Sequence, residues 1–161
     1  MTVSEYNRCV DEFSDGVFRF ILKNIKDEDI AKDTVQDSFV KMWLKVGEIS
    51  YEKAKSYLFT TAYHTMIDSI RKNSRITTME TAHENMVICH NEYSDVKEIL
   101  NEAVDKLPEI QRSVLLLRDY EGYSYEEIGQ ITDLGESQVK VYIFRARTFL
   151  KNYIGSLEAV I

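Results

Sequence analysis

Residues 137–153, SQVKVYIFRARTFLKNY, hold Lys140, Arg145, Arg147 and Lys151 and no acid, in a chain whose formal net charge is -7. With Val139 facing inward and 100° per residue, Ser137, Val141, Phe144 and Thr148 point outward, flanked by Gln138, Lys140 and Arg145. Short polar and apolar side chains suit base edges and thymine methyls, while Lys140, Arg145 and Arg147 suit phosphates. A solvated helix in an ordinary bundle is the competing explanation. The outward Val141, Tyr142 and Phe144 and the lack of acids argue against it.

Two further faces could bind without catalysing. In residues 53–73 the outward face carries Ser56, Thr60, Tyr63, His64, Ile67 and Arg71, with Lys72 and Arg75 at its end. Aromatics beside cations suit unstacked single-stranded bases, where stacking supplies ~1–3 kcal/mol per base. A surface helix with a buried tyrosine edge fits these residues equally well. In residues 28–46, with Val35 inward, the opposite face holds Asp33, Gln36, Asp37, Val40 and Leu44. Two aliphatics among acids and an amide mark a surface that docks onto another helix, since a merely solvated face gives Val40 and Leu44 no role. His83, Cys89 and His90 lie close together but without regular ligand spacing, a weak zinc signal. Cys9 and Cys89 read as two reduced thiols. There is no nucleophile, carboxylate pair or phosphate loop, so neither catalysis nor a cofactor or metal is expected.

These faces need helices to carry them. Ile30, Ala31, Val35, Phe39, Met42, Trp43 and Val46 recur at three- and four-residue spacing, predicting an amphipathic helix over 28–46 that ends near Gly47. A second follows over 53–73, with Leu58, Ala62, Thr65, Met66, Ser69 and Ile70 inward. Upstream, residues 3–14 and 16–26 read as shorter helices parted by Asp15 and Gly16. From Ser74 to about Asp95 the periodicity fades into polar sequence, which predicts a flexible linker between two small domains. A short helix then reaches Lys106, and Pro108 opens another running to about Tyr120. Ser124 with Glu127 forms a capping box, Asp133 and Gly135 supply a turn, and Val139, Ile143, Ala146, Leu150 and Tyr153 line one face of the next helix. Short helix, tight turn and longer basic helix make a helix-turn-helix. The expected fold class is all-α.

Composition agrees with this plan. The 161 residues are 44% hydrophobic and 11% aromatic with one proline, a folded and helical make-up. The start of the chain resembles no signal peptide, and no segment approaches ~18 uninterrupted apolar residues, so a cytoplasmic protein without direct membrane insertion is expected. Positive charge falls in two islands: Lys53, Lys55, Arg71, Lys72 and Arg75 against Asp68, and the four cations of 137–153. The acidic remainder limits binding to bulk DNA.

The sequence LPEIQRSVLLLRDYEGYSYEEIGQITDLGESQVKVYIFRARTFLKNYI resembles region 4 of the extracytoplasmic-function class of sigma-70 family sigma factors. DEDIAKDTVQDSFVKMW and KAKSYLFTTAYHTMIDSIRKNSR resemble the two halves of region 2. The resemblance implies region 2 over 1–75, a linker over 76–95 and region 4 over 96–161. It implies that Asp33, Gln36, Asp37, Val40 and Leu44 bind core RNA polymerase, whose clamp and flap are the expected contacts. Tyr63, His64, Ile67, Arg71, Lys72 and Arg75 then meet the minus-10 element, and the loop from Gly47 to Glu52 is where the family captures a flipped base. Ser137, Gln138, Lys140, Val141, Tyr142, Phe144 and Arg145 meet the minus-35 element. Promoter DNA and an anti-sigma factor complete the implied partners. Asp133 and Gly135 in the turn, Tyr142 where a basic residue is common, and Tyr63 and His64 where arginine and asparagine are common depart from the family pattern. The expectation is an alternative sigma factor that directs promoter-specific initiation. The rivals are a stand-alone helix-turn-helix regulator, which would bind DNA specifically without polymerase, and a helical adaptor, which would support no promoter-dependent transcription.

Overall fold

A computed structural model describes the backbone of residues 1–76 and 95–158 and the side chains of 1–72 and 96–156. The elements are α1 (Val3–Ile25), α2 (Glu28–Leu44), α3 (Tyr51–Ile76), α4 (Asp95–Asp105), α5 (Glu109–Leu115), α6 (Tyr125–Thr132) and α7 (Glu136–Glu158). Most of the linker expected over 76–95, with His83, Cys89 and His90, lies outside the described residues. Among the described residues no strand forms, no helix is long and apolar enough to cross a membrane, and no three His, Cys, Asp or Glu side chains cluster as metal ligands.

Helices α1, α2 and α3 pack on one another as a bundle. Thr2 caps α1 by accepting from the Glu5 amide at 3.1 Å. The break expected at Asp15 and Gly16 does not occur. Cys9, Val17, Phe20 and Ile21 are all buried, so the apolar stripe crosses the glycine in phase, and its ~1 kcal/mol propensity cost does not outweigh that burial. Helix α1 instead stops at Lys26, whose φ of 61° is left-handed. Asp27 then caps α2 through the Asp29 and Ile30 amides at 3.0 and 3.2 Å. Ala31, Thr34, Ser38, Phe39 and Met42 are its buried side, and Ala54, Leu58, Phe59, Ala62, Tyr63 and Met66 are that of α3. Trp43, expected on the inward stripe, is instead 45% exposed, its ring set edge-on against Tyr6 with centroids 5.0 Å apart.

In the second half α4, α5 and α6 pack around α7, with Val139, Ile143 and Ala146 buried and Leu150 and Tyr153 half-buried, as the spacing predicts. Pro108 is the N-cap of α5, and the α-helix does not continue to Tyr120. From Leu116 to Tyr120 the chain widens into a π-helical turn, and the Glu121 amide reaches back five residues to the Leu116 carbonyl. This turn presents Asp119, Tyr120 and Glu121 to three different cations, Arg147, Lys23 and Arg19.

The two helical halves are also in contact with each other. A single hydrophobic core runs from α1 through α3 into α5, α6 and α7. Phe59 of α3 lies between Phe20 and Tyr123, with ring centroids 5.7 and 5.5 Å away. The sequence pattern marks which faces are apolar but not that two such faces, 60 and more residues apart, share one interior.

Candidate nucleic-acid and partner interfaces

The helix-turn-helix is set by three local features. Ser124 Oγ accepts from the Glu127 amide at 3.2 Å, which starts α6. Asp133 adopts a left-handed φ of 60° and ends it. Gly129, buried in α6, lets the turn return closely: a Cβ there would stand 2.7 Å from the Leu134 carbonyl oxygen. The Leu134 amide donates to the Gly129 carbonyl at 3.0 Å and closes the turn. Arg118 and Lys140 lie over the Tyr125 ring, 4.5 and 5.6 Å from its centroid, bracing the entrance to α6 against α7.

Helix α7 then presents Ser137, Gln138, Lys140, Val141, Phe144 and Arg145 to solvent, with Val141 46% and Phe144 71% exposed. Tyr142 differs: it is half-buried and packs against the core, so its ring is only partly on this face. Ser137, Gln138, Val141, Tyr142 and Arg145 line one shallow depression. Gln138 has a second task, because its Oε1 accepts from the Gly135 amide at 3.0 Å and caps α7. An adenine contact through both ends of the carboxamide would require that cap to open. Arg147, read from sequence as a phosphate contact, instead donates to Asp119 Oδ1 at 2.6 Å and ties α7 to the π-helical turn. Lys140 pairs with Glu136 at 3.4 Å, an exposed contact that screening keeps weak.

On α3, the structure divides the expected surface. His64, Arg71 and Lys72 are exposed, Ile67 is half-buried against the core, and the side chain of Arg75 lies outside the described residues. Tyr63 is buried, with 6% exposure, so it is not on an open face. Its hydroxyl pKa is raised by burial and then by the nearby Glu109 carboxylate, which places the start of α5 beside it. The helical wheel puts Tyr63 outward, whereas the structure buries it in the core, and the second half of the chain packs on α3 through α6.

On α2, Asp33, Gln36, Asp37, Val40 and Leu44 are all exposed, Val40 by 51% and Leu44 by 77%. Trp43 extends their apolar patch, which the sequence reading missed by assigning the ring to the core. The signal was present in the sequence, since Trp43 is three residues after Val40 and next to Leu44. Asp33 and Asp37 also line a groove with Lys72, which brings the acidic side of α2 next to the basic end of α3.

Residues 9–76 match the family described as Sigma-70 region 2, and residues 97–150 match Sigma-70, region 4. The chain belongs to the sigma-70 family. This sigma factor is 28% identical over 156 residues to the ECF RNA polymerase sigma factor SigM of Bacillus subtilis, covering 94% of each chain. It is 29% identical over 146 residues to the RNA polymerase sigma factor SigV of the same organism, covering 89% of this chain and 87% of the relative. The fold is similar to that of the sigma factor RpoE from Bartonella quintana, solved with the anti-sigma factor NepR, with a TM-score of 0.77 at 22% identity over 95% of this chain and 98% of that one. It is thus an alternative sigma factor of the extracytoplasmic-function group, acting in transcription initiation. Helices α2 and α3 fall in region 2, and the helix-turn-helix of α6 and α7 falls in region 4.

Proposed function

We propose that this sigma factor works in the cytoplasm, brings core RNA polymerase to its promoters and catalyses nothing itself. The observation that carries the reading is the exposed side of α7. Apolar Val141 and Phe144 stand there beside Ser137, Gln138, Lys140 and Arg145, at the second helix of a helix-turn-helix. Residues 96–161 would contact the minus-35 element through Ser137, Gln138, Lys140, Val141, Tyr142, Phe144 and Arg145. Residues 1–75 would bind core polymerase through Asp33, Gln36, Asp37, Val40 and Leu44, joined by Trp43. They would meet the minus-10 element through Tyr63, His64, Ile67, Arg71, Lys72 and Arg75. A related sigma factor has been solved with its anti-sigma factor, which supports an anti-sigma factor as a partner here.

Run-off transcription from a fragmented genomic template, with purified core polymerase alone and with the protein added, tests the reading. Discrete new transcripts that depend on both components are expected. Sequence-specific DNA binding without polymerase and no new transcript would instead favour a stand-alone regulator.

A further inference from the structure

Apolar packing alone does not fix how α7 lies in the helix-turn-helix, because it has no direction: the buried Val139, Ile143 and Ala146 would stay buried through a small roll of the helix about its axis. Base reading needs more, since its side chains must be held to within ~0.5 Å and ~10–20° of the productive geometry. Directional contacts on the two flanks of the buried stripe supply it. On one flank Tyr142 is half-buried against the core. The other flank carries Lys140 and Arg147, which lie two turns apart on the same side of α7, ~10.5 Å along its axis.

Two residues outside α7 hold that second flank. Asp119, on the π-helical turn, accepts from Arg147 Nη2 at 2.6 Å, a short charge-assisted bond between two half-exposed side chains. Tyr125, the first residue of α6, is half-buried against the core and spans both cations. Lys140 Nζ lies 5.6 Å from its ring centroid, and its hydroxyl faces the Arg147 guanidinium. The Arg147 pKa is raised above the ordinary arginine value, by the hydrogen bond to Asp119 first and then by the Asp119 charge and Tyr125. Tyr125 is itself pinned, since Arg118 lies 4.5 Å from its centroid and donates to the Tyr123 carbonyl at 2.9 Å. Neither Asp119 nor Tyr125 lines the depression formed by Ser137, Gln138, Val141, Tyr142 and Arg145. Their contacts are with the flank of the reading helix and not with its reading face.

We propose that Asp119 and Tyr125 are positioning residues for minus-35 recognition: set against Arg147 and Lys140, they fix the roll and depth of α7 in the groove, and the choice among minus-35 sequences depends on them although neither touches a base. The proposal rests on the reading of α7 as the minus-35 helix. The same geometry gives Asp119 a second effect. It occupies Arg147, a cation that would otherwise be free for a phosphate, and so withholds a contact that binds every sequence alike. Discrimination gains from both, because the reading side chains are aimed and an indiscriminate contact is removed.

The test uses holoenzyme formed from the full chain and core polymerase, on a promoter recovered by run-off transcription and varied only in its minus-35 element. Asp119→Asn keeps the size of the side chain and removes its charge. It should lower the ratio of transcription between the best and worst elements about tenfold, the size of one coupled contact. Binding of the holoenzyme to the worst element should at the same time tighten, with a salt dependence steeper by roughly one counterion as Arg147 is released. Adding Arg147→Ala should return that slope to the parent value without restoring the ratio. Asp119→Arg with Arg147→Asp re-forms the pair in reverse and should restore much of the ratio. Tyr125→Phe, which keeps the ring and drops the hydroxyl, should lower the ratio without steepening the slope. A purely structural role predicts a different pattern, in which thermal stability and transcription fall equally on every element while ratio and slope stay as in the parent. That result, with a parent that discriminates, overturns the proposal and leaves the minus-35 reading intact. A parent with no preference among the elements removes both.

Discussion

Gln138 shows how one side chain can hold two assignments that compete for the same atom. Its exposure and its place on α7 are legible from the helical phase. Its bond to the Gly135 amide is not, because the capping pattern is recognisable only once Glu136 is known to be the first residue of α7. With Oε1 in the cap, only the Nε2 donor is left to discriminate between bases. Gln138→Glu keeps an acceptor for the Gly135 amide and removes that donor, whereas Gln138→Ala removes both. Transcription from promoters varied only in the minus-35 element should show the same loss of preference for both variants, ~1–3 kcal/mol between the best and worst bases. Only Gln138→Ala should also lower thermal stability. Unchanged preference in both variants would mean that Gln138 is a cap and no more. Gly129 is the sharper structural case. Gly129→Ala would normally help a helix by ~1 kcal/mol, yet here the added methyl meets backbone at 2.7 Å, so a net loss of ~1–3 kcal/mol in denaturant unfolding is expected. Unaltered stability would show that the turn can yield.

Helices α2, α3, α6 and α7 were legible in the sequence because each has an apolar stripe long enough to set its phase. Two features at this scale were not. Gly16 reads as a break, and only the burial of residues on both sides of it shows that α1 continues. The π-helical turn leaves no periodic trace, since five residues are too few to define a spacing; it is visible only through the contacts of Asp119, Tyr120 and Glu121. The patch on α2 shows what the phase does fix, as Val40 and Leu44 are exposed where the wheel puts them. Asp37→Lys with Val40→Asp should weaken core polymerase binding by at least tenfold while the helical circular dichroism is kept. Trp43→Ala should also weaken it, by ~1–2 kcal/mol, the range for a large aromatic at an interface. Unfolding of the double variant would place that face in the core and remove it from the polymerase surface. Between the two arginines of α7 the expected effects also part. Arg145→Ala should lower the salt dependence of DNA binding by roughly one counterion. Arg147→Ala, whose partner is Asp119, should leave that slope unchanged and lower stability, by an amount that its half-exposed setting keeps below ~1 kcal/mol. Equal slopes for the two variants would remove Arg145 from the phosphate contacts.

At the scale of the whole molecule, the sequence separates the two halves correctly as helical units but is silent on their meeting. Asn24 and Ser113, whose side chains share a hydrogen bond, lie 89 positions apart, and nothing in the type of either residue announces the other. Charge, by contrast, is readable from sequence alone, because it depends on composition and needs no contact. The net -7 surrounds two basic islands, and the field of the acidic remainder acts on DNA before any side chain touches it. Asp11 on α1 and Glu102 on α4 are exposed and lie outside every face assigned to DNA or polymerase. Reversing both, as Asp11→Lys with Glu102→Lys, adds no phosphate contact but moves the net charge toward zero. Binding of the protein alone to a non-promoter duplex should then tighten severalfold at low ionic strength. The gain should vanish near 0.3 M salt, where the screening length has fallen to roughly 6 Å. Fluorescence anisotropy across a salt series measures this directly. A gain that persists at high salt would mean that the new lysines contact DNA themselves. No gain at any salt would show that the acidic remainder does not restrain binding to bulk DNA, and that selectivity must come from the faces of α3 and α7 alone.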